Sequence, residues 1–187
     1  MLAAYLHVPL MAQPARPALP PSPSSGDQAK AMHLSTALKS AVANYERGRW
    51  ASAQRQFESL ARAGVAAADH NLAVMHLKRQ SRSSGAKPSD ATRDQLARHH
   101  MLRAAEGGFV TAQYELAQMW DQGLAGPRDL KRALAWYERA ALAGSTDAQV
   151  AMGTAHYLGR GTVRDATAAL DWYLLAARQG DVGAQYM

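Results

Sequence analysis

The sequence predicts an all-α fold: an α–α superhelix, a right-handed solenoid of about four helix-turn-helix repeats. Three observations predict it. Residues recur at a fixed 36-residue step through the second half of the chain. Apolar residues within each step follow the 3.6 period of a helix with one buried face. The composition supplies a core, with 48% hydrophobic and 19% charged residues, so the chain is not a disordered polyelectrolyte.

The repeat is legible residue by residue. Ala112-Gln113 recurs as Ala148-Gln149 and as Ala184-Gln185, and Trp136-Tyr137 recurs as Trp172-Tyr173. Ala104-Ala105, Ala140-Ala141 and Ala176-Ala177 keep the same step, as do Gly108, Gly144 and Gly180. Backwards, Phe57, Ala61, Gly64 and Ala68 match Tyr137, Ala141, Gly144 and Ala148, with eight residues inserted near Arg79 to Ala91 and five missing between Gly48 and Ala53. Self-similarity at such a period marks stacked supersecondary units.

The elements follow in order. Residues 1–26 form a leader with six of the eight prolines, and proline fixes φ and removes an amide donor. Its first apolar block resembles the late part of a secretory signal peptide, although no Lys or Arg precedes it; a cytoplasmic N-terminal tail is the alternative. Export is preferred, which expects a periplasmic or secreted protein over a cytoplasmic one. Residues 27–187 form the solenoid, in units of about 37–67, 68–111, 112–147 and 148–183, with a further unit starting at 184–187. The first helix of a unit is clearest over Ala112 to Asp121 and the second over Leu130 to Ala143. Asp129 and Asp165 stand where an N-cap accepts from orphan amides, and Gly144 and Gly180 where a helix ends and φ turns positive. One large side chain per layer fills the column Phe57, Met101, Tyr137, Tyr173, so Tyr137→Ala is expected to cost about 3–5 kcal/mol. An unfinished last repeat leaves an apolar face, so either the chain is a fragment of a longer array or self-association or another partner contact covers that end.

These residues resemble the Sel-one-like repeat family, a branch of the tetratricopeptide-like α-solenoids. The clearest matches are Ala148-Gln149, Met152-Gly153, Gly159, Gly161, Asp165, Ala169, Trp172-Tyr173, Ala176-Ala177 and Gly180. Tyr45, Gly48, Ala53 and Phe57 of the first unit are more similar to an ordinary tetratricopeptide repeat. The resemblance implies a non-catalytic scaffold or adaptor that holds protein or peptide partners, here in the bacterial envelope. It also implies an alternative, an envelope enzyme or binder of peptidoglycan-like or β-lactam substrates. Secreted members often carry one cysteine pair per repeat, and this sequence has no cysteine.

In such solenoids the first helices line the concave face. That places Lys39, Ala43 and Glu46 in the groove, then His70, Val74 and Leu77, then Tyr114, Gln118 and Asp121, then Val150, Thr154 and Tyr157. Aromatic, amide and charged tips together suit a peptide better than a uniform polyanion. The inserted loop adds a basic group, Lys78, Arg79, Arg82, Lys87 and Arg93 against Asp90, readable as a solvated loop or as a dock for an acidic partner. The net charge of +6 alone also allows nucleic acid or anionic lipid, but no nucleic-acid reader motif accompanies it, so nucleic acid is disfavoured.

Catalytic and metal motifs are missing. There is no His-Glu-x-x-His, phosphate loop or Gly-x-Ser-x-Gly elbow, so no catalytic residue, cofactor or metal is expected. The histidines invite a metal reading, but His76 and His156 fall at the repeat position of Tyr45 and Trp120, and His100 falls at that of Trp136 and Trp172, which are packing positions. Trp120, Trp136 and Trp172 read as periodic packing rather than a stacking platform. No apolar run reaches the roughly 20 residues that a transmembrane helix requires.

Overall fold

The computed structural model describes residues 24–80, 89–124 and 126–184. Among the described residues there are eight helices and no strand: α1 (Ser25–Glu46), α2 (Trp50–Arg62), α3 (Ala66–Leu77), α4 (Asp90–Glu106), α5 (Val110–Gln122), α6 (Leu130–Leu142), α7 (Thr146–Leu158) and α8 (Ala166–Arg178). None is long and apolar enough to cross a membrane. Each packs mainly on its neighbours in the chain, α1 on α2, α2 on α3 and onward to α8, as a linear stack of hairpins requires.

The repeated residues do repeated work. Asp129 caps α6 by accepting from the Arg132 amide, and Asp165 caps α8 by accepting from the Thr167 and Ala168 amides. The backbone entering each cap is tied to the end of the preceding helix, Asp129 N–H to the Trp120 carbonyl at 3.1 Å and Asp165 N–H to the His156 carbonyl at 2.9 Å. Gly144 and Gly180 follow the helix ends at φ +94° and +91°, where a side chain is strained. Gln113 Nε2 donates to the Ala105 carbonyl and Gln149 Nε2 to the Ala141 carbonyl, both at 3.1 Å, so one buried amide ties each first helix to the helix before it.

Several expectations shift. Helix α5 starts at Val110, two residues before Ala112, because Gly108 takes a positive φ and the Phe109 amide then closes on the Ala104 carbonyl. Helix α1 starts at Ser25, inside the stretch read as leader, because Ser24 and Asp27 form a reciprocal capping box. The signal-like block and most of the prolines lie outside the described residues. In the aromatic column Phe57, Met101 and Tyr173 are buried, but Tyr137 is only half-buried. Its truncation is therefore expected to cost about 2 kcal/mol rather than 3–5, since less apolar area leaves water on folding. Ala184 packs with Ala169, Tyr173 and Ala176 on α8, while residues 185–187 lie outside the described chain.

Candidate partner-binding groove

The side chains projected onto the groove have unequal surroundings. Lys39 and Glu46 are exposed on α1, and Leu77 and Tyr157 are exposed near the ends of α3 and α7. His70 Nε2 lies 2.9 Å from Glu115 Oε2, and its ring leans on Phe109 with centroids 5.0 Å apart, so it bridges two units. Val74 is half-buried, and Val150 packs against the α8 cluster. The Tyr114 hydroxyl accepts from Gln118 Nε2 at 3.0 Å, and the Tyr114 ring leans on Tyr137 at 5.7 Å. Arg164 lies over the Tyr157 ring.

A cleft of about 220 Å³ opens where α5, α6 and α7 meet. Leu130, Ala133, Leu134 and Tyr137 of α6 line it, with Ala151, Thr154 and Ala155 of α7 and, at the rim, Asp121 and Arg160. Arg160 Nη2 donates to both oxygens of Asp121, at 2.9 and 3.0 Å. Arg128 holds the same residue as well, Nε to its carbonyl at 2.7 Å and Nη2 to its Oδ1 at 3.1 Å. Two guanidinium groups thus share one carboxylate. Thr154 Oγ1 donates to the Val150 carbonyl at 2.9 Å and lies 3.0 Å from the Tyr173 hydroxyl.

The electrostatics fix what the cleft can do. Burial, then the charge of Asp121 and the neighbouring Tyr114, push the Tyr137 phenol up to about 12, against the opposing pull of Arg160. Burial and then Asp147 push Tyr114 up as well, with the Gln118 hydrogen bond acting in the other direction. Tyr137 is therefore a neutral hydroxyl at physiological pH, able to donate to a ligand carbonyl but useless as a base. The lining holds no histidine, and the Thr154 hydroxyl hydrogen is committed to a carbonyl. The lining thus combines aliphatic side chains with one neutral phenol and one ion pair.

This geometry matches a known family. The Sel1 repeat profile matches residues 66–109, 110–145 and 146–181. The chain belongs to the Sel1 repeat family. The crystal structure of a Sel1 repeat protein from Oxalobacter formigenes is 32% identical, with a TM-score of 0.62 over 71% of this chain and 93% of that one. The structure of c5321, described as a protective antigen of uropathogenic Escherichia coli with an SLR fold, is 26% identical, with a TM-score of 0.67. That match covers 85% of this chain but only 33% of c5321. No curated protein matches the sequence. Sel1 repeats are interaction scaffolds as a family, and the Sel1 array here places Asp121 and Thr154, two groove residues read from the sequence, on one cleft.

The rest of the lining was not legible as a site. Tyr137 reads as core from its column and Arg160 as part of the Gly-Arg-Gly turn. The only signal for Arg160 is its break with the register, since the preceding Sel1 unit carries Leu124 there.

The basic group does not form one loop. Lys78 caps the end of α3, and Arg79, at φ +57°, reaches Asp90 at 3.1 Å. Arg93 is no loop residue: it lies in the first turn of α4, buried, and pairs with Asp90 at 2.9 Å. The α4 cap at Ser89 starts the helix early enough to turn Arg93 inward. Arg82 and Lys87 lie outside the described residues.

His76 and His100 are built into the α3–α4 packing. Asp69 stands where later Sel1 units carry Gln113 and Gln149, and it is buried. A carboxylate cannot donate as glutamine does; Arg103 Nη2 makes the missing bond to the Ala61 carbonyl at 3.1 Å and lies 3.4 Å from Asp69. His100 Nδ1 lies 2.8 Å from Asp69 Oδ1, and the His100 ring stacks on His76, centroids 5.7 Å apart. Among the described residues no group of three or more such side chains is placed to hold a metal ion. Burial first, then the charge of His100 on α4 and of Arg93, push the His76 pKa below its ordinary 6.5, while Glu58 on α2 opposes them. A depressed folded-state pKa contributes stability that is present above 6.5 and is lost as the pH falls from there through the folded value. Thermal unfolding from pH 7.5 to 5 should therefore show a loss of stability that is smaller in His76→Tyr, which installs the residue of the equivalent position Tyr45. Equal pH slopes would assign the effect to other groups.

Proposed function

We propose that this chain is a non-catalytic interaction scaffold that holds a protein or peptide partner along its first helices, with one partner side chain seated in the α5–α6–α7 cleft. The observation that carries the reading is the cleft itself: an aliphatic floor under a neutral tyrosine hydroxyl and an arginine–aspartate rim. Its volume of about 220 Å³ falls below the roughly 300–1,000 Å³ of small-molecule pockets and suits a single side chain. The neighbouring Tyr114 and His70 extend the surface along the groove, as the anchor-and-rim layout of peptide interfaces requires.

Filling the cleft tests the reading. Ala151→Leu adds three carbons on its floor and leaves the ion pairs intact. Partners retained from the protein's own cell lysate by the parent chain should be lost at least about tenfold in the variant, the loss expected for a truncated or blocked hot spot. Circular dichroism should be unchanged. Equal retention by both proteins would refute the cleft as anchor. Turnover of a chromogenic β-lactam by the parent chain, abolished in Tyr114→Ala, would overturn the scaffold reading as a whole.

A further inference from the structure

We infer that the cleft is selective for an aliphatic side chain presented beside a carboxylate. The inference rests on the cleft being the anchor site and names the chemistry of its ligand. Leu130, Leu134 and Ala151 supply a floor with nothing to hydrogen-bond, so the inserted group is aliphatic. The rim has a surplus of positive charge. Arg160 and Arg128 both hold Asp121, and one carboxylate leaves one of the two guanidinium charges unbalanced. A guanidinium carries five N–H donors in a rigid fork that matches carboxylate geometry. In the described bonds Arg160 uses only Nη2, so its remaining donors are oriented around an already fixed group. Holding Arg160 in place before the ligand arrives lowers the side-chain entropy lost on binding. Asp121 itself repels a second carboxylate, so the acid is held by guanidinium donors that do not face Asp121. A basic group at that position would meet like charge, and an amide would gain a hydrogen bond from the guanidinium without the attraction of opposite charges.

Backbone amide NMR of the intact chain, titrated with small probes, tests this directly. N-acetyl-leucine carries both features, N-acetyl-leucinamide lacks the charge, and N-acetyl-glycine lacks the side chain. N-acetyl-leucine should shift the amides of Ala151, Thr154 and Arg160 with an affinity about fivefold to tenfold above that of the amide, which is the range of one partly screened charge-assisted hydrogen bond. N-acetyl-glycine should bind more weakly than N-acetyl-leucine. In Arg160→Gln the preference for the acid should vanish while the binding of leucinamide persists. Equal binding of acid and amide would overturn the carboxylate preference and leave the cleft as an anchor. Equal binding of the leucine and glycine acids would reduce the effect to surface ion pairing and overturn the inference. No shift at Ala151 or Thr154 with any probe would remove the anchor reading beneath it.

Discussion

Phe57→Ala is expected to lower stability by about 3–5 kcal/mol, the range for removing a fully buried aromatic ring. The ring is entirely inaccessible and packs in one cluster with Ala41 of α1, Ala53 and Leu60 of α2, and Ala68, Leu72 and Met75 of α3. Three consecutive helices therefore lose the same knob. The alanines among these neighbours cannot swing in to fill the cavity, and the close packing of the larger ones limits relaxation. The more telling outcome is where the loss falls. In an array whose units touch mainly their neighbours, stability is close to a sum of local terms. Hydrogen exchange should show amide protection in α1–α3 falling by at least about a hundredfold, as 3 kcal/mol implies, with α6–α8 nearly unchanged. A uniform loss across all eight helices would mean that the solenoid folds as a single cooperative unit, contrary to this account. Met101→Ala, in the same column one layer on, should move the loss to α3–α5.

The part of this architecture that could be read from the residues is the part under identical constraint in every unit. An aspartate must cap α6 and α8 because both helices begin after a sharp turn with orphan amides, so Asp129 and Asp165 recur at the same step. A glycine must follow each second helix because φ is positive there. The cleft escaped because it arises from a difference between units. A Cβ on Gly153 would lie 2.7 Å from the Tyr173 ring, so that ring sinks fully against α7. The register places Ala117 at the position of Gly153, and Tyr137 at that of Tyr173. Tyr137 itself is only half-buried, and it lines the cleft. Periodicity reports what units share, and the cleft lies where two units differ. The groove projection includes Asp121 and Thr154, which line the cleft, and omits Arg160, because it copied one unit's geometry onto the next. Arg93 failed as a loop residue because the sequence shows charge but not the cap at Ser89 that draws it into a helix.

Gly161→Ala should combine two penalties that Gly144→Ala separates. Both glycines have positive φ, +74° and +94°, and alanine in the left-handed region costs about 1–2 kcal/mol. At Gly144 a Cβ would meet nothing within 4 Å, so that conformational term is the whole effect. At Gly161 the Cβ would lie 2.7 Å from the Leu130 carbonyl oxygen and 3.0 Å from its carbon. That neighbour is backbone at the start of α6 and cannot rotate away as a side chain would. Overpacking against it adds about 1–3 kcal/mol, for a total of about 2–5 kcal/mol. Relief comes only by moving the 159–165 turn off α6, and the turn carries Arg160. The Arg160–Asp121 pair at 2.9 Å then opens, and the rim of the cleft opens with it. Denaturant unfolding should therefore rank Gly161→Ala below Gly144→Ala in stability. Under conditions where both remain folded, only Gly161→Ala should lose partner binding. Equal stabilities would show that the turn absorbs the methyl group without moving. Retained binding in Gly161→Ala would show that the rim does not depend on the turn's seat on α6.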